Sequence, residues 1–141
     1  MIKRKIYITE KDKVKLRNLF GKTLGMSNND LKSMKELLEE IERAEVMTDE
    51  NIDETVITMN STFVVEDINT HKEYDYTIVY PEFADSSKNK ISILAPVGTA
   101  LLGYKVGDIV EWSVPAGKRK FRIKEMLYQP EAAVKSLNKV K

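Results

Sequence analysis

The sequence predicts an α+β protein in which two helices precede a mostly antiparallel sheet with small helices at its margins. Three observations carry that reading. Apolar residues recur at helical spacing up to about residue 54, β-prone segments separated by turn residues follow from Thr55, and no cysteine is present to staple either part. With 141 residues, 42% of them hydrophobic and 32% charged, the chain has material for one or two small domains with a packed core. The change of texture near Thr48–Glu54 divides it into a helical hairpin over 1–54 and a sheet domain over 55–141.

Thr9 followed by Asp12 makes a capping-box-like start, and Val14, Leu16, Leu19 and Phe20 give a short first helix ending before Gly21. Residues 21–29 hold two glycines and the run Ser27-Asn28-Asn29, a turn in which Asn28 or Asn29 caps the next helix. Leu31, Met34, Leu38 and Ile41, widened by Leu37 and Ala44, then predict a second helix of about five turns. The short connection predicts an antiparallel pair. Residues 1–25 carry eight Lys or Arg against two acids, and residues 26–54 three against ten. Lys11, Lys13 and Lys15 are therefore expected beside Glu39, Glu42 and Glu45, either as solvated surface or as part of an acidic binding face. A stripe buried on its partner helix needs no second copy, so a monomer is expected.

From Thr55 the β-prone segments are Val56–Met59, Phe63–Ile68, Tyr74–Tyr80, Ile91–Leu94, Ile109–Val114 and Phe121–Tyr128. Asn69-Thr-His-Lys72 and Pro115-Ala-Gly-Lys118 read as hairpin connections. Thr99–Gly103 has room for one helical turn, and Pro130–Asn138 opens with a Pro-Glu pair suited to a helix start. Gly98 admits a turn, Gly103 or Gly107 permits a positive φ before the next strand, and Asp108 belongs to the same fold-maintaining turn.

Composition removes several chemistries. Without cysteine there is no thiolate catalysis or Cys-based zinc site, and the single His71, in a predicted turn, supplies neither a catalytic triad nor a histidine metal cage. Ala95–Asp108 concentrates three of the six glycines but lacks Gly-Lys-Ser/Thr and Gly-x-Gly-x-x-Gly, which argues against a phosphate loop. Glu39, Glu40 and Glu42 point in different directions on a helix and form no metal set. No cofactor or metal is expected, and no enzyme. With a net charge of +1, nucleic acid is met only through a local patch. The row Lys118, Lys120, Arg122 and Lys124 on one strand face offers such a weak contact with DNA, beside the plainer reading of a solvated face. No apolar run approaches the roughly 20 residues of a membrane span or resembles a signal peptide, so a soluble cytoplasmic protein is expected.

Ala95-Pro-Val-Gly-Thr-Ala-Leu-Leu-Gly-Tyr-Lys-Val-Gly-Asp108, with Trp112-Ser-Val-Pro-Ala-Gly117 and Ile123–Tyr128, resembles the C-terminal domain of the bacterial Gre transcript-cleavage factors. Val56-Ile-Thr-Met-Asn-Ser61, Val79-Tyr-Pro81 and Tyr128-Gln-Pro-Glu-Ala-Ala133 resemble most the Rnk-like branch, the regulators of nucleoside diphosphate kinase. The resemblance covers about residues 55–133. It implies a short N-terminal antiparallel coiled coil ahead of an FKBP-like domain. It further implies binding of bacterial RNA polymerase at the rim of its secondary channel.

On that resemblance Pro96, Val97, Ala100, Leu101 and Leu102 are the docking candidates, with ordinary core packing as the alternative for the two leucines. Lys22, Asn28, Asn29 and Asp30 are the hairpin-tip candidates. In Gre factors a pair of acids at the tip helps place Mg²⁺ for RNA cleavage. Here residues 22–29 contain no acid, and Asp30 is followed only by Glu36, almost two turns on. The resemblance therefore implies a polymerase-binding regulator that does not stimulate cleavage. The alternatives are a cleavage factor working through Asp30 and an FKBP-like peptidyl-prolyl isomerase.

Overall fold

The computed structural model describes residues 5–20, 27–114 and 117–139. In chain order its elements are β1 (Tyr7–Thr9), α1 (Glu10–Phe20), α2 (Asn28–Arg43), β2 (Glu45–Met47), β3 (Thr62–Asp67), β4 (Glu73–Val79), β5 (Lys90–Ser92), α3 (Pro96–Leu101), β6 (Ile109–Val114), β7 (Gly117–Tyr128) and α4 (Pro130–Lys139). The strands form a five-stranded sheet in the order β5-β4-β3-β7-β6 and a separate pair, β1-β2. All neighbours in the larger sheet are antiparallel except β4 and β5. The fold is thus mixed helix and sheet.

Strand alternation decides which sheet face is covered. On β3, Phe63 and Val65 point inward with Ile78 of β4 and Phe121 and Ile123 of β7, while Val64 and Glu66 face the other way. Asp67 ends β3 and accepts the backbone N–H groups of Asn69 (2.9 Å) and Thr70 (3.2 Å), which shapes the predicted β3–β4 turn. Arg119 pairs with the same carboxylate and lies 5.4 Å over the Phe121 ring. This guanidinium holds the Asp67 carboxyl below its usual range. The β6–β7 connection at Pro115 and Ala116 lies outside the described residues, but its ends meet as Val114 opposite Gly117.

Thr9 caps α1, its hydroxyl accepting the Asp12 N–H at 3.1 Å, as its spacing predicts. At α2 the cap falls one residue early, because Leu31 N–H reaches the Ser27 carbonyl at 3.0 Å and Asn28 already belongs to the first turn. The buried stripe of α2 is Met34, Leu37 and Ile41, with Leu38 half-buried and Leu31 37% exposed. That shift has a physical reason: α2 packs on α3 and the sheet core as well as on α1, so its inward face is not set by a partner helix alone.

One expected strand is absent, and two features go beyond the sequence reading. Val56–Met59 is not a strand; Val56, Ile57 and Met59 are buried in an irregular segment whose one bridge joins Val56 to Lys105. The parallel pairing of β1 with β2 carries no alternation long enough to be read from sequence; Tyr7 stands opposite Glu45 and Thr9 opposite Met47. The helix pair also does not zip tip-first. Arg17, near the end of α1, binds Glu42, near the end of α2, at 2.7 Å, and Lys5 binds Glu45 at 3.1 Å. A hairpin closed from its loop would set Arg17 against the start of α2. Opposite charges do meet between the two helical stretches: Arg17 and Lys5 make the ion pairs, the Lys13 charge also acts on Glu42 as expected, and Lys15 lies 5.9 Å over the Tyr80 ring.

One apolar cluster runs through both halves, from Ile8, Leu16, Met34, Leu37 and Ile41 to Phe63, Val65, Ile78, Leu101, Phe121 and Ile123. Phe63 is fully buried at its centre. Phe63→Ala is expected to cost about 3–5 kcal/mol through lost transfer energy and the residual cavity, measured as the shift in urea unfolding.

Candidate functional site

The segment Ala95–Asp108 is held in place from three sides. α3 begins with Pro96 in its first turn, where the missing N–H costs nothing. Thr99 Oγ1 donates to the Ile93 carbonyl at 2.7 Å, tying the helix to the end of β5. Gly98 is buried so closely that an added Cβ would stand 2.5 Å from the Ser92 carbonyl oxygen. Its role is thus close approach inside a helix, rather than the turn its sequence context suggests.

Gly103 links this segment to both other parts of the chain. At φ +88° it donates its N–H to the Ile57 carbonyl (2.9 Å) and accepts the Tyr7 N–H (3.1 Å). A Cβ there would meet Ile6 Cβ at 2.8 Å and the Tyr7 carbonyl oxygen at 3.0 Å. Tyr104 returns a bond from its carbonyl to Ile57 N–H at 2.8 Å. The following turn is closed by Asp108, whose Oδ2 accepts the Lys105 N–H at 3.0 Å. Gly107 N–H and Ile123 N–H extend the link to β7. The fold-maintaining assignments of Gly103, Gly107 and Asp108 agree with this geometry.

The five docking candidates divide by exposure. Pro96 is exposed, and Val97 and Ala100 are half-buried against the core. Leu101 and Leu102 are core residues, 0% and 5% exposed, so in this fold their side chains offer nothing to a partner. The helical period explains the split, since a six-residue helix laid on the sheet must turn one side inward. Of the tip candidates, Asn28 and Asn29 are exposed in the first turn of α2, Asp30 follows them in that turn, and Lys22 lies outside the described residues.

Lys118, Lys120, Arg122 and Lys124 do share the open face of the sheet, but each meets a carboxylate. Glu111 stands 3.5 Å from Lys118 and 3.9 Å from Lys120, Glu66 lies 4.0 Å from Arg122, and Glu73 binds Lys124. The row is a chequered surface rather than a basic stripe. Among the described residues no three His, Asp or Glu stand together as a metal set, and no helix is long and apolar enough to cross a membrane.

A feature missed by periodicity is the buried junction around Asp12. Its Oδ2 accepts the Met59 N–H at 3.1 Å, and nearby Thr58 donates to Glu131 of α4 at 2.7 Å. Only the Thr9–Asp12 spacing hints at it.

Residues 52–128 match the family described as "Transcription elongation factor, GreA/GreB, C-term", and residues 4–47 match "Rnk N-terminus". The Escherichia coli K12 protein "Regulator of nucleoside diphosphate kinase" is 38% identical over 95 residues, covering 67% of this chain and 70% of that protein. "Transcription elongation factor GreA" of Acetivibrio thermocellus is 43% identical over 86 residues, 61% of this chain and 54% of that factor, so the chain spans about half the length of this relative. Among solved structures, "Prokaryotic transcription elongation factor GreA/GreB from Nitrosomonas europaea" superposes with a TM-score of 0.72 at 42% identity, covering 89% of this chain and all of the other.

A matching C-terminal half with its glycine-pinned α3 segment, on a fold shared at that level of identity, defines the class: the chain belongs to the GreA/GreB transcription elongation factor family. Within that family it is Rnk-like, since its N-terminal half carries the Rnk match.

The two positive-φ glycines separate strain from crowding. Gly107→Ala, with open space around the new Cβ, is expected to cost about 1–2 kcal/mol from backbone strain. Gly103→Ala is expected to cost about 1–3 kcal/mol more, because Ile6 and Tyr7 must move. Parallel urea titrations of the two variants measure the difference.

Proposed function

We propose that this chain is a transcription regulator that binds bacterial RNA polymerase at its secondary channel and does not stimulate transcript cleavage. The observation that carries the reading is the α3 segment: it lies within the Gre-family match and presents Pro96, with Val97 and Ala100 behind it, on a support fixed by Gly98, Thr99 and Gly103. A short apolar ledge that loses little freedom on binding suits a protein-docking surface. The absence of cleavage rests on the start of α2, where Asp30 follows Asn28 and Asn29 and the next acid is Glu36. The reading rests on the missing second acid of the pair that the Gre resemblance implies at the tip, since a lone carboxylate supplies fewer oxygen ligands to Mg²⁺ than a pair. The Rnk-type N-terminal half also separates this chain from full-length GreA relatives, of which it spans only about half.

The test is equilibrium binding of labelled protein to bacterial core RNA polymerase, with a Gre factor as competitor. Pro96→Asp is the informative variant: an acid in the first turn of a helix is well tolerated, so the fold is kept while the ledge gains a charge. The expected outcome is competed binding by the native chain and a Kd raised about tenfold or more in Pro96→Asp, equivalent to about 1.4 kcal/mol. Leu101→Ala would instead open a core cavity and report stability. Competed binding unchanged in Pro96→Asp, or no binding at all, would contradict the reading. Stalled elongation complexes are expected to release no short 3′ RNA on addition of the chain; release that is lost in Asp30→Ala would replace the reading with a cleavage factor.

A further inference from the structure

Asp12 is 6% exposed, yet it is an acid at a junction of four separate segments. It sits in the first turn of α1, and its Oδ2 accepts the Met59 N–H at 3.1 Å. Beyond it lies Tyr80, whose hydroxyl is buried without a hydrogen-bond partner among the described residues. From α4 comes Glu131, engaged by the Thr58 hydroxyl at 2.7 Å, while Thr58 is itself joined to Ser61 at 2.8 Å. Lys15, one turn along α1, is the cation facing the cluster, and its ammonium lies over the Tyr80 ring rather than against the carboxylate.

The groups facing Asp12 therefore give its charge little support. Burial, helped by the Glu131 charge, raises its carboxyl to about 6 against the opposing pull of the Met59 N–H, the Thr9 side chain and Lys15. The Tyr80 hydroxyl is held well above its ordinary range by burial and by the charges of Asp12 and Glu131, so it stays neutral.

We propose that Asp12 is a protonation-dependent latch between α1 and the sheet half of the molecule, holding α1 down when neutral and loosening it when ionised. The geometry makes the link direct. Asp12 contributes an α1 contact to the 58–61 segment, and the Met59 N–H that it holds belongs to a run whose residues 56–59 are all buried. The sign follows from proton linkage. A carboxyl whose value is raised on folding binds its proton more tightly in the folded chain, so this contribution is full below the unfolded value of 3.8 and is lost as pH rises toward about 6. α1 leads to the segment before Asn28, so the latch governs how firmly the helical half is held against the sheet. The inference rests on the fold and is independent of polymerase binding.

Hydrogen exchange of the whole chain at pH 5 and pH 8, corrected for intrinsic rates, tests it. Protection of the α1 amides is expected to fall by about tenfold across that interval in the native chain, and to stay within about twofold in Asp12→Asn. An unchanged native protection, or an equal fall in Asp12→Asn, would overturn the proposal. Should that variant fail to fold, carboxyl ¹³C titration of the native chain decides. A midpoint near 6 accompanied by a loss of native α1 protection over the same pH range supports the latch, and an ordinary midpoint of about 4, or α1 protection that does not follow the titration, overturns it.

Discussion

The structure turns on a backbone crossing at Gly103. Its N–H binds Ile57, at the entry to the sheet half, and its carbonyl binds Tyr7, in the first strand of the helical half. The approach to Tyr7 is one that a Cβ would crowd, and the φ of +88° is one that side chains disfavour. Because α3 ends two residues earlier, at Leu101, the crossing also anchors the helix that carries Pro96. Loss of the approach would separate Ile8 and Leu16 from the Leu101 and Ile57 side of the core.

This arrangement explains how a helical half without a long partner surface stays folded. β1 and β2 are three residues each, too short to be stable alone. They are held between Gly103 on one side and the helices on the other, and α2 finds its apolar cover in α3 and the sheet as much as in α1. The exposed ion pairs of Arg17 with Glu42 and Lys5 with Glu45 decorate the packing and do not create it. α2 and the α3 helix that carries Pro96 are consequently anchored in the same apolar cluster, through Met34, Leu37 and Ile41 on one side and Val97, Ala100 and Leu101 on the other.

Much of the fold was legible because it rests on local signals. Phe63, Val65 and Asp67 alternate cleanly, Asn69–Lys72 is a turn cluster, and the Pro130-Glu131 start of α4 is an ordinary helix entry. What was not legible depends on distant partners. Tyr7–Thr9 carries too few residues to show a period, and its pairing with Glu45–Met47 spans the whole helical half. The seam of α2 moved from Leu38 to Leu37 because the sheet competes with α1 for its inner face. At the candidate site, the positive φ of Gly103 and Gly107 was readable from composition and spacing. The burial of Leu101 and Leu102 was left open by the same motif, since apolar character marks core and interface alike. Asp12 showed its capping spacing in the sequence but not its burial, which Met59, Tyr80 and Glu131 create from far along the chain.

The most direct measurement of this shared core is equilibrium urea unfolding followed at once by helical circular dichroism and by the fluorescence of Trp112, the one tryptophan, which lies in β6. If the Gly103 crossing joins the halves into one cooperative unit, the two signals change with the same midpoint and the same slope. A helical signal lost at distinctly lower urea than the Trp112 signal would contradict the account, because the helices would then be an independent unit resting on the sheet.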